Sequence, residues 1–582
     1  MKFLLAAINA KYIHSNLGVY SLKKYGEAKA KRISVEIGEY TINHQMEYIL
    51  KDIYIRKPEA VGFSCYIWNI SYVMETVRDL KKVLPNVHIW LGGPEVSYCT
   101  RKLLEENEQV MGIMSGEGEE TFGELLQAYE AAWKEKGRMP EEDEMGDRLL
   151  AIDGLAFRQR EYGMILENSL RKPMDMNKIP FSYEDIAGFE NRIIYYESSR
   201  GCPFSCSYCL SSIDKSVRFR SLDLVKKELD FFLEHKVPQV KFVDRTFNCK
   251  KSHAMAVWKH IRDCDNGITN FHFEISADLL DDEEISLLET MRPGLVQLEI
   301  GVQTVNPQTI QEIHRKTDLD RLRAVVARIK KGRNIHQHLD LIAGLPFEDY
   351  ESFGKSFCAV YDMEPDELQL GFLKVLKGSY MAGMTDSYNL QYKDKPPYEV
   401  LSTKWLSYGD VIRLKGVEEM VEVYYNSRQF TQTLKTLSGE FPSPFVMFEK
   451  LAQYYEKEKL YEAKHSRIAR YEILYRFLCS LGKNERELKK YRDLLMYDLY
   501  LRENVKSRPD FASDQTIYKN EIKPAYDEYF RAHRQKDKRM VHIEVMEDRR
   551  QILFDYEDRD FLDYNGRAYV LSPDLRAEEK QE

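Results

Sequence analysis

Short apolar runs and helix-period segments alternate along most of the chain. Near the N-terminus the runs are "KFLLAAI" (2–8), "AVGFSCYI" (60–67), "VHIWLGG" (87–93) and "VMGIMSG" (110–116), each ending at small or polar residues. Helical patterns such as "SYVMETVRDLKKVL" (71–84) lie between them. Strand–helix alternation with glycine at strand ends predicts a doubly wound parallel sheet, which binds ligands in the crevice at the carboxyl ends of its strands. The charged stretch "EAAWKEKGRMPEEDEMGDRLL" (130–150) reads as a helix end and a linker. After it, "IDGLAFRQREYGMILEN" reads as a small hairpin region leading into "KIPFSYEDI".

From about residue 192 the alternation resumes. Strand candidates are "IIYYES" (193–198), "QVKFVD" (239–244), "FHFEIS" (271–276), "LVQLEIG" (295–301), "HLDLIAG" (338–344) and "LQLGFL" (368–373), with helices such as "SLDLVKKELDFFLEHK" (221–236) and "SHAMAVWKHIRDC" (252–264) between them. Six βα units predict a partial TIM-type barrel, whose chemistry belongs at the C-terminal ends of the strands. The remainder is rich in Tyr, Lys and Glu, mostly helical in pattern, and shows no internal repeat. The α/β organisation expected is therefore a Rossmann-like doubly wound domain (1–135), a linker and hairpin region (136–190), a partial (βα)6 barrel (191–385) and a mainly helical C-terminal domain (386–582).

A length of 582 residues agrees with several domains, being too long for one hydrophobic core. The net charge of -9 argues against a protein that holds nucleic acid through overall basicity, although a local basic groove stays open. The basic stretch 314–333 reads as a solvated helix face. No run approaches the roughly 20 apolar residues of a membrane-spanning helix. The opening "MKFLLAAINA" reads as a buried first strand. Nine cysteines, mostly isolated, form no disulfide framework; the expectation is a cytoplasmic protein in which clustered thiols serve metal or redox chemistry.

The cluster is "SRGCPFSCSYCLSS" (199–212), with Cys202, Cys206 and Cys209 on one short loop after the first barrel strand. Structural zinc wants four ligands, usually as two separated pairs, and no second pair is present. A thioredoxin-like site would use Cys206 and Cys209 and leave Cys202 unexplained. Three thiolates can instead hold three irons of a [4Fe–4S] cluster, leaving the fourth iron open to a small molecule. Gly201 and Pro203 help such a loop wrap tightly.

"CPFSCSYC" resembles the CxxxCxxC signature of the radical S-adenosylmethionine (SAM) superfamily. The resemblance implies that the open iron chelates SAM, and that reduction of the cluster splits it into methionine and a 5′-deoxyadenosyl radical. It also implies SAM contacts for Phe204 and Tyr208 on the loop. Asp244 in "VKFVDRTFN" (240–248), Glu299 and Gln303 in "LEIGVQT" (298–304), and Ile342 and Gly344 in "LDLIAGLPFED" (339–349) are implied to face SAM or substrate. The doubly wound region, with "GFSCYIWN", "IWLGGPEVS" and "IMSGEGEETF", is similar to the cobalamin-binding domain of one large radical SAM class. That likeness implies cobalamin contacts for Ser64, Tyr66, Asn69, Gly92, Gly93, Glu117 and Gly118.

The better-known cobalamin signature, Asp-x-His-x-x-Gly, is not matched. "YIHSNLG" (12–18) has Tyr in place of Asp and its glycine one residue late, so His14 is set aside as a cobalt ligand. Cys249 reads as an inert buried thiol, and Cys65 as a residue that merely lines the pocket of its domain. The segment 398–430 resembles the C-terminal extension, of unassigned function, of anaerobic cobalamin-dependent radical SAM proteins. Together these likenesses imply an enzyme using a [4Fe–4S] cluster, SAM and cobalamin. It would draw on a flavodoxin- or ferredoxin-type electron donor and methylate an unactivated centre of a small molecule through methylcobalamin. The alternatives are cyclisation or rearrangement without methylation, a radical SAM enzyme with an empty N-terminal domain, and a non-enzymatic iron–sulfur redox or sensor protein.

Overall fold

A computed structural model describes residues 1–571 and 577–578. Chain contacts divide it into two units. The first holds residues 1–299, 307–322 and 372–404; the second holds 300–306, 323–371 and 405–582.

The first unit opens with strands β1 (Lys2–Asn9), β2 (Ser34–Thr41), β3 (Ala60–Ser64), β4 (His88–Gly92) and β5 (Gly112–Met114). They pair in parallel in the order β2-β1-β3-β4-β5. Helices α1 (Leu17–Lys29), α2 (Met46–Arg56), α3 (Ile70–Val83), α4 (Thr100–Glu106) and α5 (Gly118–Lys136) follow the strands in turn. Both faces of the sheet are apolar. Leu4, Ala6 and Ile8 of β1 join one core with Val61, Ile89 and Leu91, while Phe3, Leu5 and Ala7 join another around Trp90 and Tyr129. Sandwiching between helices demands this near-continuous apolarity of parallel strands.

β2 was not anticipated from the sequence. "SVEIGEYT" lies at the sheet edge, with Glu36 and Glu39 only half-buried, so it carries no continuous apolar run. The hairpin after residue 150 forms β6 (Leu155–Gln159) and β7 (Met164–Glu167) and extends the same sheet antiparallel from β5, rather than standing apart from it.

A second sheet follows: β8 (Ile194–Tyr196), then β11 (Gln239–Phe242), β12 (Asn270–Ile275), β13 (Val296–Gln303), β14 (His336–Ala343) and β15 (Glu367–Phe372). Between β8 and β11 a two-stranded antiparallel ribbon, β9 (Ser199–Arg200) and β10 (Arg218–Phe219), brackets the cysteine loop. The six-stranded order β15-β14-β13-β12-β11-β8 runs in sequence order, as a partial barrel requires. Phe242, Phe247, Phe271, Phe273 and Trp258 are buried between the strands and their helices, with ring centroids 4.3–6.5 Å apart in the contacting pairs.

In the second unit, helices at Tyr408–Met420, Thr431–Ser438, Pro444–Lys457, Arg467–Ser480, Glu485–Arg502 and Lys519–Ala532 make up the mainly helical C-terminal part. It closes on an antiparallel sheet over 541–578 that its Tyr- and charge-rich sequence did not announce. No helix among the described residues is long and apolar enough to cross a membrane.

Candidate active site

The cysteine loop leaves the C-terminal end of β8, and charged groups hold it down on both sides. At Gly201 φ is +94°, and a Cβ there would stand 2.6 Å from the Ser216 carbonyl oxygen, so this tight turn tolerates only glycine. The Cys202 N–H donates to the Asp214 carbonyl (3.2 Å) and the Ser207 N–H to the Ile313 carbonyl (3.0 Å). Arg200 pairs with Glu119 (2.7 Å) and Glu197 (2.8 Å), and Arg218 with Asp214 (2.9 Å) and Glu117 (2.5 Å). The Glu117 side chain also accepts from the Met174 N–H at 3.1 Å. Glu117 and Glu119, at the start of α5, thus bind the arginines that frame the cysteine loop. Gly118 sits between them, where an added Cβ would press on Leu22 at 3.0 Å.

All three cysteines are free thiols, Cys202 and Cys206 buried and Cys209 half-buried. Burial pushes the Cys206 thiol up, and Arg315 opposes that shift. Arg315 lies 3.8 Å from Cys206 Sγ and donates to the Tyr208 hydroxyl at 3.5 Å, while Cys202 Sγ is 3.7 Å from Thr246 Oγ1. Sequence reasoning placed Arg315 on a solvated helix. The helix there starts only at Leu319, and Arg315 sits ahead of it, after His314 at φ +55°. The "KTD" before the helical period marked that boundary in the sequence. Phe204 is half-buried on the same loop.

Asp244 does not stand open at the strand end. Its carboxylate accepts from Ser198 N–H (2.9 Å), Ser198 Oγ (2.7 Å) and Ser199 Oγ (2.5 Å), fixing the root of the cysteine loop. Complete burial raises this carboxyl to about 6 against those hydrogen bonds. Glu299 lies one layer lower. The register sets Tyr195, Lys241 and His272 side by side on β8, β11 and β12, and Glu299 of β13 meets Lys241 (2.9 Å) and His272 (3.0 Å). These four form a polar rung on the strand face opposite the Phe–Trp core. Burial alone would raise Glu299; the His272 hydrogen bond and the Lys241 ammonium outweigh it and hold the carboxyl at about 2.

In the doubly wound sheet, strand order reverses between β1 and β3, and the loops leaving those two strands flank the crevice where such sheets take ligands. Ser64 Oγ there accepts from Asn16 Nδ2 at 3.2 Å. Tyr66 stacks on the partly exposed Trp68 with centroids 4.4 Å apart. Asn69 is fully buried and bridges strand ends, donating to the Ile8 (3.0 Å) and Ser64 (2.8 Å) carbonyls and accepting from the Tyr66 N–H (2.8 Å). Gly93 has φ +113° and packs on Cys65, whose carbonyl oxygen would be 2.5 Å from a Cβ; Gly92 has ordinary space. His14 donates to or accepts from the Tyr195 hydroxyl at 2.7 Å, and burial lowers its pKa. Burial pushes Cys65 to about 12 and Cys249 to about 11, as suits inert thiols.

In the second unit, Gln303 takes φ +72° at the end of β13, and its buried Oε1 has no hydrogen-bond partner. Gly344 follows β14 at φ +89°, with Ile342 half-buried two residues earlier. Glu348 accepts from Thr304 (2.6 Å) and Ser356 (2.8 Å), and burial raises it to about 7.

Three free thiols on a glycine-turned loop suit an iron–sulfur cluster with one open iron. Among the described residues, the buried Ser207 Oγ and Gln303 Oε1 have no hydrogen-bond partner. A partial barrel with this loop, preceded by a doubly wound domain, is the arrangement of the radical SAM class that carries a cobalamin-type domain.

Family comparison agrees. Residues 4–126 match the B12 binding domain, 196–357 the radical SAM superfamily, and 386–564 a protein family of unknown function (DUF4080). The chain thus carries a B12-binding domain followed by a radical SAM domain. It is 25% identical over 319 residues to the cobalamin-dependent radical SAM methyltransferase TokK of Streptomyces tokunonensis, covering 51% of this chain and 44% of that protein. It is 24% identical over 360 residues to an anaerobic magnesium-protoporphyrin IX monomethyl ester cyclase of Cereibacter sphaeroides, covering 60% and 55%. The chain therefore spans about half the length of the curated relatives it matches. Among solved structures it resembles OxsB, a cobalamin-dependent SAM radical enzyme with aqua-cobalamin and SAM bound (TM-score 0.58, 14% identity, 92% of this chain and 82% of that one). It also resembles TsrM from Kitasatospora setae, a radical SAM methyltransferase with tryptophan and a SAM analogue bound (TM-score 0.53, 16% identity, 68% and 80%).

Proposed function

We propose that this chain is a cobalamin-dependent radical SAM enzyme that transfers a methyl group to an unactivated centre of a small molecule. The observation that carries the reading is the free three-cysteine loop, bolted through Arg200 and Arg218 to the B12-binding domain. When bound, the cluster, SAM and cobalamin supply reductive SAM cleavage and methyl relay; the protein's own residues bind, orient and exclude water.

In this reading Cys202, Cys206 and Cys209 hold the cluster. Arg315 places a guanidinium beside Cys206 and Tyr208, where it offsets thiolate charge. Asp244 fixes the loop root. Ser207 offers a polar atom to SAM. Ser64, Tyr66 and the Gly93 turn line the cobalamin crevice, with Asn69 holding their strand ends. His14 hydrogen-bonds the Tyr195 hydroxyl and is given no role in holding cobalamin. A flavodoxin- or ferredoxin-type donor and a cytoplasmic setting fit this chemistry.

The test is anaerobic reconstitution with iron, sulfide and cobalamin, followed by SAM carrying a labelled methyl group and a reductant. 5′-Deoxyadenosine together with label in a cell-extract metabolite supports methylation. 5′-Deoxyadenosine without label in any metabolite supports the second reading, radical cyclisation, which the likeness to the cyclase favours. No 5′-deoxyadenosine overturns both.

A further inference from the structure

Away from the cysteine loop, two barrel helices bring a second set of metal-ligand side chains together. Asp230 lies near the end of the helix Leu222–Glu234; His260 and Cys264 lie at the end of the helix Lys251–Asp263, Cys264 as its C-cap. His260 and Cys264 are four residues apart, which sets them on one helical face. His260 Nε2 is 2.7 Å from Asp230 Oδ1, and its Nδ1 is 4.0 Å from Cys264 Sγ. One ligand atom from each of the three residues falls within 4.8 Å of the others. Asp230 and His260 are half-buried and Cys264 is exposed, so an ion reaches them from solvent without any opening of the fold.

The surroundings favour a cation on balance. Both helices end here, and helix C-termini carry partial negative charge. Asp230 and Asp263 face Cys264 from the two helices, Asp263 itself paired with Arg262 (2.7 Å), and Lys226 is the opposing positive group. Lys259, beside His260 in the adjoining groove, points its charge at Glu283. A carboxylate, an imidazole and a thiolate are a donor set suited to zinc, and three protein ligands leave the fourth position to water. An iron–sulfur cluster would draw on cysteines alone or nearly so, and a single thiol excludes one here.

We propose that Asp230, His260 and Cys264 bind a zinc ion that clips the helix Leu222–Glu234 to the helix Lys251–Asp263. The ion takes the place of the Asp230–His260 hydrogen bond and displaces the Cys264 thiol proton to solvent. The site is independent of the cluster loop and of the reaction proposed above.

The full-length protein, loaded with cluster, is incubated with a zinc salt, desalted and analysed for zinc and iron. About one zinc per chain is expected, falling by about tenfold or more in His260→Ala and in Cys264→Ser, with iron content unchanged. X-ray absorption at the zinc edge should show a single sulfur at about 2.3 Å with nitrogen or oxygen ligands at about 2.0–2.1 Å. Three outcomes overturn the proposal: no zinc retained, equal zinc in the wild type and both variants, or a sulfur-dominated shell that places zinc on Cys202, Cys206 and Cys209. Iron content and the absorbance of the cluster in each variant separate loss of the zinc site from failure to fold.

Discussion

The two parallel-stranded sheets are built from the same strand–helix unit and use their faces differently. Strands β1, β3 and β4 are apolar on both sides, because helices cover both. Strands β8, β11, β12 and the start of β13 are apolar on one side only, and the other side carries Tyr195, Lys241, His272 and Glu299. The first sheet is a platform, and the residues proposed to line the cobalamin crevice sit in the loops at its strand ends. In the second, the inner face of the strands is itself polar, so chemistry can extend from the loops into the barrel. The difference follows from closure: a sheet that curls towards a barrel presents one face to its own interior, which helices cannot cover.

Substitutions can break this comparison. The largest effect is expected at the barrel mouth. Cys206→Ala should reduce SAM cleavage to background while leaving the thermal midpoint nearly unchanged; cleavage at the original rate would remove the active-site assignment. In the platform sheet, Trp90→Ala should cost about 3–5 kcal/mol in urea unfolding, because it empties a fully buried indole site. A cost similar to that of a surface change would mean that this face is not a core.

The polar rung should respond more weakly and to pH. Removing Lys241 as Lys241→Met strands the Glu299 carboxylate and should cost about 1–3 kcal/mol at neutral pH. The folded Glu299 carboxyl, at about 2, lies below its ordinary value near 4.5. Its stabilisation is therefore complete above about 4.5 and fades as pH falls towards 2. Denaturation curves from pH 6 to 2 should show that Glu299→Gln flattens this limb; an unchanged limb would show that the rung contributes nothing. The smallest effect belongs to Gly93→Ala, about 1–2 kcal/mol from an alanine forced to positive φ against the Cys65 carbonyl. Cobalamin retention after desalting should fall with it, and full retention would remove this turn from the crevice.

Much of this contrast is visible in the sequence once the faces are known. "FLLAAI" has no polar position, whereas "QVKF", "FHFEI" and "VQLEIGVQ" alternate strictly. All six barrel strands were legible to within two or three residues, and β2 was missed because an edge strand needs less apolar surface. Within the site, the cysteines were legible because their spacing lies within one loop. Arg315 was not, because its contact with Cys206 and Tyr208 crosses more than a hundred residues. Asp244 and Glu117 were implied as cofactor contacts by the family resemblance; their carboxylates hold Ser198, Ser199, Arg218 and the Met174 backbone, partners that no local pattern specifies.

By itself, then, the sequence determined the order of the barrel strands, the position of the thiol loop at a strand's carboxyl end and the apolarity of the first sheet. These are matters of periodicity and short-range spacing, settled within a turn or a strand. Only the tertiary structure decided which carboxylates remain open to a ligand and which are consumed by arginines and serines. It also decided that Tyr195, Lys241, His272 and Glu299 share one rung, and that Asp230 meets His260 and Cys264. Each of these depends on register and helix packing between distant segments, where a side chain's partner is chosen by geometry that no single segment contains.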